Sequence, residues 1–200
     1  MRIGLYGDST QMGLSRQGNV SVQNEFPPSK TLQMMLDQKY GAGIHCVSNY
    51  GIGGSTIIQA LDTPLFEGKN VVQHMDCHCD DIVVANWGIN DAYVVGNTAN
   101  AHKAYYTCLK NFVEAREKRF IYESPNPLNN SHDQIMVALD TGVKAITSLT
   151  IADISWQTRM YYPQWAAHLD DGIHPNAILY FWVGMVLFKT VDSVIQSMAC

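Results

Sequence analysis

The sequence predicts an α/β protein, a parallel sheet with helices on both faces. Three observations lead there. Short apolar runs alternate with helix-length segments, strand then helix, five times along the chain. The clearest run, Ile82-Val83-Val84-Ala85-Asn86-Trp87, is apolar without alternation, as expected of a strand covered on both faces. The runs stop at turn-forming glycine, serine, asparagine or proline residues.

Taken in order, Ile3 to Tyr6 is a strand stopped by Gly7-Asp8. Gln11 to Pro28 is polar and reads as a long loop. Ser29 is placed to cap a helix from Lys30 to Lys39, with Leu32, Met35 and Leu36 on one face and Gly41 and Gly43 ending it. Ile44 to Ser48 is the second strand, Asn49 to Gly54 a glycine-rich turn, and Ser55 opens a short helix through Ile58 and Leu61. After the strand at 82–87 come a helix over Ala101 to Lys118 and a strand at Phe120 to Tyr122, stopped by Pro125 and Pro127. A helix over Asp133 to Thr147, a strand at Leu149 to Ile154 and a last helix from Asn176 to about Met198 complete the pattern. The apolar stretch Ala177 to Phe188 is shorter than the roughly 20 residues that span a bilayer, so it reads as a buried helix.

The chain has 200 residues, read as one domain over 1–200 with 46% apolar residues to fill its core. Charged residues make up 16%, against about 25% in ordinary domains. The balance of 13 basic and 18 acidic residues, net −5, argues against a nucleic-acid binder, which needs a basic face. The surface left over is rich in Asn, Gln, Ser, Thr, Tyr and Trp, which suits a neutral polar ligand or a homo-oligomer contact. Cys46, Cys77, Cys79, Cys108 and Cys200 are odd in number and read as reduced. The cluster His74, Cys77, His78, Cys79 has zinc-type donors but no second ligand pair, and reads as a polar loop leading into a strand. No secretory signal opens the chain, so the expectation is a cytoplasmic protein, or one exported within an assembly by another route.

In parallel sheets the working groups lie beyond the carboxyl ends of the strands. Four blocks stand there: Gly7-Asp8-Ser9-Thr10, Asn49 to Ser55, Gly88-Ile89-Asn90-Asp91, and Asp171-Gly172-Ile173-His174-Pro175. Together they hold the parts of an acyl-transfer site. A serine hydroxyl is a weak nucleophile and needs a base. An imidazole takes and returns a proton near neutrality. A carboxylate on its other nitrogen fixes the tautomer. A glycine N–H and an asparagine NH2 are donors for an oxyanion.

These four blocks resemble those of the GDSL, or SGNH, hydrolase superfamily of serine esterases and lipases, and they span positions 7 to 175. The resemblance implies a three-layer α/β/α sandwich with a flavodoxin-like sheet of five parallel strands, and no metal or organic cofactor. It implies Ser9 as nucleophile, His174 as base and Asp171 as its acid. It also implies an oxyanion hole from the Ser9 N–H, Gly54 (Gly53 being the second choice) and Asn90. Thr10 replaces the leucine of the family name.

The expected activity is ester hydrolysis on a small-molecule or polysaccharide ester, foremost removal of O-acetyl groups from a carbohydrate. A lipase, thioesterase or lysophospholipase and a non-catalytic carbohydrate-binding module are the alternatives. Trp87 reads as core packing or as the floor of the site. Tyr161, Tyr162 and Trp165 read as loop packing or as platforms for a sugar or acyl chain. Asn126, Asn129 and Asn130 read as turn formers or substrate contacts. The other histidines (His45, His74, His78, His102, His132 and His168) read as structural or surface residues.

Overall fold

The computed structural model describes residues 1–199; Cys200 lies outside the described residues. In chain order the elements are β1 (Arg2–Gly7), α1 (Ser9–Met12), β2 (Leu14–Gln17), β3 (Val20–Gln23), α2 (Pro28–Tyr40), β4 (Cys46–Gly51), α3 (Ile57–Asp62), α4 (Val71–Cys77), β5 (Ile82–Asn86), α5 (Ala99–Glu114), β6 (Arg119–Glu123), α6 (Asp133–Lys144), β7 (Thr150–Ala152), α7 (Ile154–Tyr161) and α8 (Ala177–Met198). Five strands form one parallel sheet in the order β4-β1-β5-β6-β7. Chain direction reverses across β1, between β4 and β5, and a crevice opens at the carboxyl ends of such strands.

The alternation of strand side chains sorts the core into two layers. Tyr6, Val83, Ala85, Trp87, Phe120 and Tyr122 pack with Ile57, Met75, Tyr106, Leu109 and Val143 from α3 to α6. Ile3, Leu5, Ile82, Val84 and Ile121 pack on the other face with Leu32 and Leu36 of α2 and Leu187, Val191 and Ile195 of α8. Each such side chain, wholly buried, contributes roughly 1.5–3 kcal/mol. α2 and α8 touch closely, because a Cβ on Gly184 would stand 2.4 Å from Cβ of Thr31.

The structure corrects the sequence reading in several places. The expected loop over Gln11 to Pro28 holds α1 and an antiparallel hairpin of β2 and β3, whose four-residue strands are too short and too polar to show a period. Ser29 does not cap α2, which starts on Pro28; its hydroxyl accepts from Asn49 Nδ2 instead. α3 is capped by Thr56 in a capping box with Gln59, not by Ser55. The His74–Cys79 segment is mostly the helix α4, not a loop. α5 ends at Glu114, four residues early, where the chain turns through Glu117 in the left-handed region (φ 59°). α8 has 22 residues and is long and apolar enough to cross a membrane by composition alone. The length argument therefore fails; what marks α8 as a core helix is its buried face of Leu179, Val183, Val186, Leu187, Val191 and Ile195. Cys46, Cys77, Cys79 and Cys108 are free thiols on the surface.

Two of the carboxyls buried at the carboxyl edge of the sheet have an oxygen without a partner. Asp8 follows β1, and Glu123 ends β6 with Asn86 hydrogen-bonded to it. Each has one oxygen, Oδ2 of Asp8 and Oε2 of Glu123, without a hydrogen-bond partner. Burial raises Glu123 to about 8, with the Asp8 charge adding to the effect. Burial likewise raises Asp8 to about 7, against the hydrogen bonds from Thr10. The folded form thus holds protons that the unfolded chain releases near pH 4, so this stability is complete at acid pH and lost as pH rises toward 8. Denaturant titrations between about pH 5 and 9 are expected to show stability falling by a few kcal/mol in the wild type and less steeply in Glu123→Gln. Parallel slopes in the two proteins would show that Glu123 ionises as an ordinary carboxyl.

Candidate active site

The site grows from the end of β1. Asp8 caps α1, its Oδ1 accepting from the Thr10 N–H (2.9 Å) and hydroxyl (2.8 Å). Ser9 is therefore the first residue of a one-turn helix, 7% exposed. The turn sits tight on the sheet: a Cβ on Gly7 would meet the Asn86 carbonyl at 2.3 Å, and one on Gly51 the Met12 amide at 2.4 Å.

Ser9 Oγ lies 3.0 Å from His174 Nε2, and His174 Nδ1 lies 2.8 Å from Asp171 Oδ2. Oδ1 of Asp171 accepts the backbone N–H groups of Ile173 (3.0 Å) and His174 (2.8 Å). Burial alone would raise this carboxyl, but the hydrogen bonds and charge of His174 outweigh it and hold the group below its usual range. An ionised Asp171 accepting from Nδ1 leaves Nε2 free to accept a proton from the serine.

The loop that carries this pair is braced on several sides. Asn126 Nδ2 donates to the Ile173 carbonyl (3.0 Å), and the Asn129 N–H donates to the Gly172 carbonyl (2.8 Å). Asn130 instead donates to the Tyr93 hydroxyl (3.0 Å). The predicted asparagines thus hold the loop and its neighbour. Asn176 follows at once, capping α8 through the Ile178 and Leu179 N–H groups.

Across the cleft, Asn90 and the glycine turn are tied together through Ser55. The Ser55 carbonyl accepts from Asn90 Nδ2 (3.1 Å), and its hydroxyl donates to the Ile52 carbonyl (2.8 Å) while accepting from Trp87 Nε1 (3.0 Å). Asp91, fully buried, accepts the Ile57 N–H at the start of α3 and so fixes the Asn90 turn against that helix. Gly53 and Gly54 both line the cleft, and Gly54 is left-handed (φ 75°), a backbone that glycine favours. The N–H groups of Gly53 and Gly54 donate to no acceptor among the described residues.

The cleft measures about 390 Å³ and is lined by Ser9, Gly53, Gly54, Asn90, Asp171 and His174 with Leu14, Arg16, Ser21, Tyr93 and Ile173. All six of the predicted triad and oxyanion positions, including the second-choice glycine, meet here. The four aromatic candidates do not, Tyr161 packing on Trp156. Trp87 is wholly buried, with Tyr106 OH bridging its N–H (2.7 Å) and carbonyl (2.9 Å), and it braces Ser55 through its Nε1 rather than lining the cleft. Tyr162 packs its ring against Trp182 and His168, and Trp165 lies near the Arg159 guanidinium, both away from the cleft lining. The wall is supplied instead by the hairpin, through Leu14, Arg16 and Ser21, and by Tyr93, which stacks on His132 at 3.8 Å. Ser55 and Asp91, neighbours of predicted site residues in sequence, carry no pattern that distinguishes a brace from a turn residue.

The remaining histidines are accounted for by packing. His74 is buried against Tyr6, Tyr50 and Phe66, and His78 bonds the Tyr50 hydroxyl (3.0 Å). His102 is buried 3.6 Å from Asp91, His45 packs on Tyr40, and His168 pairs with Asn176. Among the described residues no group of three or more His, Cys, Asp or Glu side chains is arranged to hold a metal ion.

No family model and no curated protein matches the chain. Solved structures do. A carbohydrate acetylesterase from Sinorhizobium meliloti superposes with a TM-score of 0.75 at 16% identity, over 96% of this chain and 99% of that one. The acetyl xylan esterase AlAXEase gives 0.74 at 16%, over 96% and 100%. A lipase/acylhydrolase from Enterococcus faecalis gives 0.72 at 20%, over 96% and 95%. At these identities the likeness is one of architecture: the chain has the three-layer α/β/α fold of the GDSL/SGNH lipases and acetylesterases.

Proposed function

We propose that the protein is a serine ester hydrolase. The observation that carries this is the relay Ser9 Oγ to His174 Nε2, His174 Nδ1 to Asp171 Oδ2, at 3.0 and 2.8 Å. As Ser9 Oγ attacks the ester carbonyl, its proton passes to His174 Nε2 and Asp171 stabilises the imidazolium. The oxyanion receives the Ser9 N–H, the Gly54 N–H and the Asn90 side chain. His174 then returns the proton to the leaving alcohol, and the acyl-serine is hydrolysed by water with His174 again as base.

Removal of an acetyl group from a carbohydrate is the reading that the cleft favours. Most of the residues that line it carry polar side chains, and Leu14 and Ile173 are its aliphatic ones. Tyr93, 42% exposed, offers a ring face at the rim. Two of the solved structures of like fold are named for acetyl esters of carbohydrates. The lipase reading draws on the exposed Ile178 and Phe181 of α8, which with Phe26 form an apolar groove.

Acetate release from acetylated oligosaccharides is expected to fall at least about a thousandfold in Ser9→Ala, and a fluorophosphonate is expected to label Ser9 in the wild type. Equal release by both proteins would remove the serine mechanism. Absence of labelling would instead favour a binding module on this fold. Among p-nitrophenyl esters, the acetate is expected to be cleaved faster than the octanoate. The opposite order would assign the protein to the acyl-chain hydrolases.

A further inference from the structure

The third partner of Asp171 comes from the hairpin. Arg16 of β2 places its Nε 3.4 Å from Asp171 Oδ2, the oxygen that also faces His174 Nδ1. Three consecutive residues of β2 are stitched along the loop and the helix that follows it. The Leu14 carbonyl accepts from the Tyr180 hydroxyl at 2.6 Å, Ser15 Oγ donates to the Pro175 carbonyl at 2.8 Å, and the Arg16 N–H donates to Asp170 Oδ2 at 3.2 Å. The guanidinium is itself anchored, Nη1 donating to the Asn19 carbonyl in the hairpin turn at 3.3 Å.

We propose that Arg16 is a positioning residue that pins the Asp171 carboxylate in line with the His174 ring. Without it, Oδ2 keeps only His174 Nδ1, and the one restraint from outside the loop, beyond the Oδ1 bonds to its own backbone, is gone. A carboxylate free to twist about its Cβ–Cγ bond spends less time aligned on Nδ1, and alignment of a catalytic pair governs rate. The contact is not a stability device. Arg16 and Asp171 side chains are 35% and 28% exposed, and ion pairs of that exposure contribute little to folding. Loss of Arg16 is therefore expected to leave the fold intact and to be felt at the imidazole.

The effect on rate rests on the esterase reading; the effect on the Asp171–His174 hydrogen bond does not. Arg16→Met and Arg16→Lys in the whole chain separate the two, with circular-dichroism melting as the check that both fold. In proton NMR, the downfield ring N–H resonance of His174 is expected to broaden or move in Arg16→Met and to stay near the wild-type position in Arg16→Lys. On p-nitrophenyl acetate, Arg16→Met is expected to lose roughly tenfold in kcat with KM within about twofold, and Arg16→Lys to recover part of the loss. A wild-type resonance in Arg16→Met overturns the proposal. So does an unchanged kcat with a raised KM, which would make Arg16 a substrate contact. If the resonance moves as expected while the wild type hydrolyses no ester, the esterase reading fails and the placement of Asp171 by Arg16 stands.

Discussion

Everything at the candidate site depends on how closely α1 approaches the sheet edge. β1 ends at Gly7, in register between Gly51 of β4 and Asn86 of β5. Neither glycine can accept a Cβ without driving it into the backbone of α1 or β5. The helix turn that carries Ser9 thus rests directly on peptide groups, with no layer of side chains beneath it. That contact brings Ser9 within reach of a histidine 165 residues away. A bulkier edge would lift the hydroxyl out of the plane in which the other strand ends converge.

The electrostatics of the region follow from the same close packing. Asp8 caps α1 and lies buried in the same layer as Glu123, where a charge on one disfavours a charge on the other. Asp171, by contrast, accepts three hydrogen bonds, faces the Arg16 guanidinium, and stays ionised. The two environments divide the acids into those kept near-neutral to support the floor and the one kept charged to serve the histidine. The low charge content of the sequence also has a structural side: most Lys and Arg ion pairs lie away from the cleft, where Arg16 meets Asp171, and the large apolar positions fill the layers on the two faces of the sheet.

What could be read in the sequence was what strand ends and periodicity encode. The strand runs, the parallel order and the four blocks at their ends come from patterns of two and three-point-six residues and from turn chemistry. The four blocks were legible because each ends a recognisable strand or opens a helix; the choice of Ser9, Gly54, Asn90, Asp171 and His174 within them rested on the resemblance to the GDSL hydrolases. The hairpin was not legible, since its strands expose most of their side chains and show no buried alternation. Arg16 and Ser21 were lost with it. Trp87 packs in the core, one of the two readings open to it, and Tyr162 and Trp165 lie off the cleft, because an aromatic next to a site in sequence carries no information about which face its ring takes. Trp87 points down into the layer of Tyr106, and Tyr162 turns toward Trp182. The braces Ser55, Asp91 and Asn126 act through single hydrogen bonds across the fold, and such pairings leave no periodic trace.

The hairpin has a further consequence. It forms a two-stranded sheet of its own, joined to the rest of the chain at Gly13 and at the stretch from Asn24 to Pro27, with no strand hydrogen-bonded to the main sheet. Such an appendage can change length and composition over evolutionary time without disturbing the core. Here, however, the same two strands furnish the outer wall of the cleft and the anchor of Asp171. A change in the hairpin therefore acts on the shape of the cleft and on the surroundings of Asp171 together.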